Sequence, residues 1–467
     1  MTRRTWLRRA AVTGAGTAVG AIGLNAVSPT LFQESPAFDL NHSLWMRAQP
    51  SHNPPLATDL EADVAIIGAG YTGLSAAYHI RKRSPRKTVV VLEARGAGNG
   101  ASGRNGAMLL PNVANEYLQL ASPPELHKRI YDLTVESMRE LKALVAASTV
   151  PEAINPVGAL ETYASLERAE HAREYVEKVK ELSIPVSYLD RQGTAALIGT
   201  GAYSGSVFEP NAGHVDPMKL VQAVKEAAEA EGARIYEDSP VRSVEEGAVI
   251  RLHMAGGQTV KVGAIVLATN AFSSKLGYFR NTIAPVYNYV AATRPLSDLE
   301  LASVGWVGRM PFNDSRTLVH YLGLTADKRI HIGGGPAPYE WNNGVHERPD
   351  EQAVEILEEE LVRLYPSLRG VGFETTWNGM VDMTLDWSPL VGVAGKHGNV
   401  YYGLGYCGHG VNLTFLFGRI IADLEAGNER AWAEYTFVNR RALYLPNEPF
   451  RWLGIQAEST YYRLTGG

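Results

Sequence analysis

The chain has 467 residues, enough for two or three domains and a large buried core. Apolar residues make up 45% and charged residues 20%, a balance that excludes a mainly disordered chain. The 44 Lys and Arg against 49 Asp and Glu leave a net charge of −5, so no basic excess points to nucleic acid as a partner. The single cysteine, Cys407, rules out an intrachain disulfide, a cysteine-built zinc site and an iron–sulfur cluster.

The N-terminus reads as an address. Thr2-Arg3-Arg4-Thr5-Trp6-Leu7-Arg8 resembles the twin-arginine export signal of bacteria. Ala10 to Gln33 then carries no charge and is rich in Ala, Gly and Val. Gly14, Gly16, Gly20, Gly23 and Asn25 interrupt it, which suits an export signal better than a stable membrane-spanning helix. Ala26-Val27-Ser28 offers a small-residue cleavage site with Pro29 directly after it, so a removed leader and an uncleaved membrane tether both stay open. Residues 1–33 are thus expected to send the chain to the periplasm or the periplasmic face of the inner membrane, with a cytoplasmic chain as the alternative. That route carries folded, cofactor-loaded proteins, so the resemblance implies a tightly bound cofactor.

Residues 34–59 read as a linker, with a Pro-rich stretch at 49–58. A βαβ unit follows. Asp63 to Ile67 is a short apolar strand, Thr72 to Arg83 a helix with Leu74, Ala77, Tyr78 and Ile80 on one face, and Thr88 to Leu92 a second strand. Amphipathic helices are expected at 125–148, 165–182, 216–232 and 349–365. Strand-rich stretches lie at 241–268, 285–294, 317–334 and 371–382, and a last strand, Val400 to Leu404, leads into a helix from Val411 to Ala426.

Gly68-Ala69-Gly70-Tyr71-Thr72-Gly73 is a G-x-G-x-x-G motif set between strand and helix. Gly68 permits the tight turn, Gly70 lets backbone approach a pyrophosphate, and Gly73 lets helix and strand pack closely. The helix start then offers free N–H groups to the anion. Glu93 ends the second strand, 20 residues after Gly73, where a carboxylate accepts hydrogen bonds from a ribose diol. The motif alone does not separate FAD from NAD.

Residues downstream make that choice. Glu93-Ala94-Arg95 followed by Ala101-Ser102-Gly103-Arg104-Asn105-Gly106 resembles the FAD-dependent D-amino-acid oxidase, glycine oxidase and sarcosine oxidase superfamily. Gly213-His214-Val215-Asp216-Pro217, Ile265-Val266-Leu267-Ala268-Thr269-Asn270-Ala271, Asp386-Trp387-Ser388-Pro389-Leu390-Val391-Gly392 and Gly405-Tyr406-Cys407-Gly408-His409-Gly410 extend the resemblance, in the right order, over about 60 to 430. Tyr321 to Gly335 is similar to the gamma-glutamylputrescine oxidoreductase branch.

The resemblance implies an α/β fold: a Rossmann-like FAD-binding domain of the GR2 type and a mixed-sheet substrate domain, both discontinuous in sequence. The expected FAD segments are 60–115, 205–283 and 385–430, the substrate segments 116–204 and 284–384, with 431–467 a tail packed on the core. Implied cofactor residues are Gly68 to Gly73, Glu93, Ala94, Arg95, Ala101, Ser102, Arg104, Asn105, Gly106, Val241, Ala268, Thr269, Asn270, Gly405, Gly408, His409, Gly410 and Val411. At Gly408-His409-Gly410 the positive end of a helix would face the flavin pyrimidine and favour its reduced form. No metal ligand set is expected.

Departures from the family pattern narrow the chemistry. Gly379 and Asn105 stand where relatives bond flavin through cysteine or histidine, so the FAD is expected to be non-covalent. Pro111 and Asn412 stand where sarcosine oxidases clamp a substrate carboxylate with arginine and lysine, which favours an amine over a simple α-amino acid. His331 aligns with the lysine those enzymes use toward oxygen; it is read either as a cation serving oxygen or as a packed strand histidine. Tyr287, Tyr289, Tyr321, Trp377 and Trp387 are aromatic candidates for an amine cage.

The expected activity is oxidation of an amine or amino-acid C–N bond, as oxidase or dehydrogenase, with oxygen or a respiratory carrier as electron acceptor. An NAD(P)H-dependent flavoprotein reductase would need a second dinucleotide motif, which the sequence does not show. A non-catalytic flavin-binding protein is the third reading.

Overall fold

The computed structural model describes residues 42–47, 51–111, 123–345 and 350–465; the expected leader at 1–33 lies outside them. The βαβ unit forms as expected, with strand Leu60–Ile67, helix Tyr71–Arg83 and strand Val89–Leu92. The two strands pair in parallel from Val64↔Val89 to Ile67↔Leu92. Val89–Leu92 is buried throughout, which explains its unbroken apolar run: a parallel strand covered on both faces has no polar side to show.

Around this unit a sheet runs in the order 241–245, 250–254, 259–267, 60–67, 89–92 and 234–236. Strand Val400–Leu404 joins it in parallel at Ile265–Leu267, and Leu390–Ala394 pairs antiparallel with Val400–Leu404. Alternation sends Val64, Ile66, Val89 and Val91 into one core and Ala65, Ile67, Val90 and Leu92 into another. The first core includes buried faces of helices Tyr71–Arg83, Pro217–Ala230 and Gly410–Glu425. The first and last of these pack without clearance, for a Cβ on Gly418 would lie 2.1 Å from Ser75 Oγ.

A second, mixed sheet runs in the order 373–384, 283–293, 330–334, 320–324, 312–314, 159–163, 205–209 and 187–190. Two expectations are corrected here. The Gly205–Glu209 strand pairs with Ala159–Tyr163 and with Ser187–Asp190, so it belongs to this sheet and not to the FAD segments. Nor is the described part of 34–59 a free linker. Leu44, Trp45 and Met46 are buried in the same core as the βαβ helix, because an apolar run of that kind has a face to hide. Further along, Leu56 N–H bonds Ser239 Oγ at 2.9 Å.

Helices 124–146, 166–180, 217–230, 351–364 and 410–425 match the amphipathic periodicity. A further short helix, Arg191–Ile198, lies outside the expected set; Asp190 caps its start and Gly199, at φ +72°, closes its end. Beyond the last core helix, Trp432, Phe437 and Leu445 are buried, and Arg440 grips Asp386 through two bonds of 2.7 and 3.0 Å. No helix among the described residues is long and apolar enough to cross a membrane.

One buried ion pair braces the first sheet. Lys225 Nζ lies 2.8 Å from Glu237, both side chains nearly without exposure, and Glu237 also accepts N–H bonds from Asn53 and Ala97. Lys225→Met should strand that carboxylate and cost about 3–5 kcal/mol in chemical unfolding, whereas a change near zero would show the backbone donors suffice.

Candidate cofactor and active site

At the end of the first strand Gly68 turns the chain with φ +103°. A Cβ there would lie 2.7 Å from Ala268 O, and a Cβ on Gly73 would lie 1.9 Å from Gly68 O. Neither position admits a side chain. The following helix has Gly70 at its cap, no side-chain cap bond and no acid in its first turn. An N-terminus left this way favours an anion. Ser102, from the second Gly-rich loop, reaches over to accept from Tyr71 N–H at 2.9 Å.

Glu93 accepts from Ala69 N–H at 2.7 Å and from Arg95 N–H at 3.0 Å. Burial pushes its carboxyl above the ordinary range despite those bonds. Ala94 lies between these groups. Ser239 N–H donates to Glu93 O, and Val241 begins the outer hairpin just beyond, buried in the outer core. Ala268 N–H bonds Ile67 O at 3.0 Å, and Thr269 Oγ1 lies 2.9 Å from Ser273 Oγ. Asn270, at φ +45°, ties this turn to the mixed sheet by donating to Met380 O at 3.1 Å.

The second loop begins with a helical turn at Ala101–Gly103 and is stitched from within by Asn105. Its amide donates to Ser102 O at 2.7 Å and its carbonyl oxygen accepts from Ala107 N–H at 2.9 Å. Arg104 is buried and donates to Asn99 O at 2.8 Å and Asn378 O at 3.3 Å, so its guanidinium fastens the loop to strand Phe373–Thr384. Gly106 has the Tyr321 ring against it; a Cβ would meet Tyr321 Cε2 at 2.2 Å.

The C-terminal motif bends sharply at Gly405 (φ +73°), Cys407 (φ +50°) and Gly408 (φ +90°). Asp382 holds this bend by accepting from Gly405 N–H and from Tyr406 N–H, the latter at 3.1 Å. The helix at Gly410–Glu425 starts at His409, again with no side-chain cap and no acid in its first turn. His409 Nδ1 meets Cys407 O at 3.1 Å, a loop contact, and Val411 is buried. Thr72 Oγ1 and Tyr406 OH, 2.8 Å apart, join the two helix starts. The Cys407 thiol is buried and pushed up to about 12, which makes it a packing group and no nucleophile.

The structure therefore brings the 68–73, 93–95, 101–106, 268–270 and 405–411 segments together at the C-terminal ends of the parallel strands, where ligands of open α/β sheets bind. The Gly cradle and two acid-free helix starts fit a dinucleotide carrying a pyrophosphate. His331 stands apart. It is fully buried, its Nε2 lies 2.9 Å from His214 Nε2, and the Trp45 ring packs edge-on at 5.2 Å. Burial holds His214 down near 3 and His331 well below its usual range. An imidazolium in this cluster would lose its hydration beside another histidine, so of the two readings of His331 the burial favours the packed strand histidine.

Of the aromatic candidates, Tyr287 and Tyr289 belong to the core on the far face of the mixed sheet. Tyr321 and Trp377 face the loop, Trp377 Nε1 donating to Arg104 O at 3.0 Å. Trp387 takes φ +57° in the turn before Leu390. Pro111 and Asn412 meet through one residue, since Thr134 Oγ1 donates to Pro111 O and Asn412 Nδ2 donates to Thr134 O, both at 3.1 Å. Sequence reasoning missed Ser43, Trp45, Thr134 and Asp382. Two signals were present: a Leu-Trp-Met run in a polar stretch and a carboxylate, Asp382, amid the apolar residues of a strand-rich segment.

Burial pushes the Asp382 carboxyl from its ordinary 3.8 up to about 7. A raised acid contributes most to stability below its unfolded value and loses that contribution as pH rises through its folded value. The stability advantage of the wild type over Asp382→Asn should therefore shrink between about pH 4 and pH 7 in thermal unfolding of flavin-free protein; a widening advantage would contradict the assignment.

The chain is 28% identical over 408 residues to the gamma-glutamylputrescine oxidoreductase of Escherichia coli, covering 84% of this chain and 91% of that protein. Its fold is similar to the crystal structure of glycine oxidase from Geobacillus kaustophilus, with a TM-score of 0.70 at 21% identity over 82% of this chain and all of the other. It is also similar to L-amino acid deaminase from Proteus myxofaciens, with a TM-score of 0.66 at 15% identity, 83% of this chain and 95% of that one. The DAO family, described as FAD dependent oxidoreductase, matches residues 63–424, and the chain belongs to that family of FAD-dependent oxidoreductases.

Proposed function

We propose that this enzyme oxidises the C–N bond of an amine, with amino acids as the second substrate class. The observation that carries the choice is the neutral knot of Pro111, Thr134 and Asn412, where sarcosine oxidases place a cationic carboxylate clamp. With no cation at these positions, and with the Thr134 hydroxyl and Asn412 amide bonded within the protein, the chain has no charged group there to hold an α-carboxylate. The gamma-glutamylputrescine oxidoreductase relative points the same way.

FAD, when bound, would supply a hydride acceptor at flavin N5 for the substrate α-carbon, leaving an imine that water hydrolyses to an aldehyde or keto acid plus an amine or ammonia. The chain's own part is to hold and orient. Gly68, Gly70 and Gly73 let the turn pack against Ala268, Ser102 and itself, and the first helix start would offer its N–H groups to the pyrophosphate. Glu93, held by Ala69 and Arg95 N–H groups at the end of the second strand, would accept from a ribose diol. The Gly410 helix start supports negative charge on a reduced ring. Tyr321 and Trp377 close the mixed-sheet side and keep water out.

Electrons then pass to oxygen or to a respiratory carrier. A leader at 1–33, with the chain in the periplasm or tethered to the inner membrane, favours the carrier. The FAD is held without a covalent bond, in keeping with Gly379, Asn105 and the buried Cys407.

Adding amines, amino acids and NADH in turn to the oxygen-free protein should bleach the flavin band with an amine first. Bleaching by NADH alone would make the protein a reductase, and bleaching by simple α-amino acids ahead of amines would overturn the substrate assignment. After acid precipitation the flavin should appear in the supernatant; flavin left in the pellet would show a covalent link.

A further inference from the structure

Three consecutive carbonyls of the second Gly-rich loop each accept one side-chain donor. Gly103 O takes Ser43 Oγ at 2.5 Å, Arg104 O takes Trp377 Nε1 at 3.0 Å, and Asn105 O takes Trp45 Nε1 at 3.1 Å. Two of these donors come from the stretch ahead of the βαβ unit, and both are buried. Trp45 is also the hub of an aromatic group, with ring centroids 5.2 Å from His331, 6.2 Å from Trp377 and 6.3 Å from His214, all edge-on.

The geometry has a consequence for the opposite side of the loop. In a trans peptide each carbonyl points away from the N–H of the next residue. Fixing the Arg104 and Asn105 carbonyls therefore fixes the Asn105 and Gly106 N–H groups on the other side. We propose that Trp45 is a positioning residue of the flavin site: it sets the Gly106 N–H, as Trp377 sets the Asn105 N–H, as donors for bound FAD, while Ser43 steadies the start of the same run through the Gly103 carbonyl. This rests on reading the 101–106 loop as part of that site. The stretch before the first strand is then a component of the cofactor site, and Trp45 separates the His214–His331 pair from the loop it anchors.

The test uses the full chain as wild type, Trp45→Ala, Trp45→Phe and Ser43→Ala, freed of flavin and titrated with FAD. Readouts are the FAD dissociation constant, the visible bands of the bound flavin and the unfolding midpoint of FAD-free protein. Trp45→Ala should weaken FAD by about tenfold or more, and Ser43→Ala by a few-fold. Trp45→Phe keeps a ring and removes the N–H, so it should restore the unfolding midpoint while the flavin bands stay shifted. Wild-type affinity and bands in both Trp45→Phe and Ser43→Ala overturn the proposal, and these two decide the matter if Trp45→Ala fails to fold. Affinity lost only in proportion to the unfolding midpoint, with unshifted bands, also overturns it. A wild type that takes up no FAD overturns instead the reading of the loop as a flavin site.

Discussion

The constraint on which the site depends is the direct packing of the first helix on the turn that feeds it. A methyl group on Gly73 would stand 1.9 Å from the Gly68 carbonyl, and one on Gly68 would stand 2.7 Å from Ala268 O. Backbone on backbone at this range puts the first turn of the helix directly over the strand ends. Its N–H groups then sit where three other segments converge. Ser102 reaches Tyr71 N–H, Glu93 reaches Ala69 N–H, and Thr72 reaches Tyr406. Each of those contacts would move outward if a side chain were inserted at either glycine.

The second constraint is how two sheets share one site. The first sheet supplies the turn and the acid; the mixed sheet supplies Trp377, Tyr321 and Asp382. Arg104, bonded to Asn378 O, and Asn270, bonded to Met380 O, cross between them. Arg104 is buried and Asn270 half-buried, and both bond backbone carbonyls, so what they fix is the spacing of the two sheets. Asp382 does the corresponding work for the C-terminal bend, and burial raises its carboxyl because it gains only backbone partners there.

Much of this was legible in the residues. The βαβ unit announced itself through an apolar strand, spaced glycines and an acid, because those positions admit few alternatives. The amphipathic helices carried their period. What was not legible was long-range. Nothing local says that Trp45 will find the Asn105 carbonyl 60 positions away, or that Gly205–Glu209 will pair with Ala159–Tyr163. The two readings of His331 stayed open in the sequence for the same reason: its surroundings include His214, 117 positions earlier, and burial that no sequence window contains. Tyr287 and Tyr289 failed as cage residues because strand alternation turned them to the far face of the sheet.

The central claim is that the Gly68–Gly73 turn and the helix behind it hold the pyrophosphate of FAD. Titrating flavin-free protein with FAD, FMN and riboflavin under one condition tests it most directly. The account predicts that FAD binds far more tightly than riboflavin, since the turn, the helix start and Glu93 engage only what lies beyond the ring system. Equal affinity for FAD and riboflavin would contradict it and place the binding energy in the isoalloxazine pocket alone.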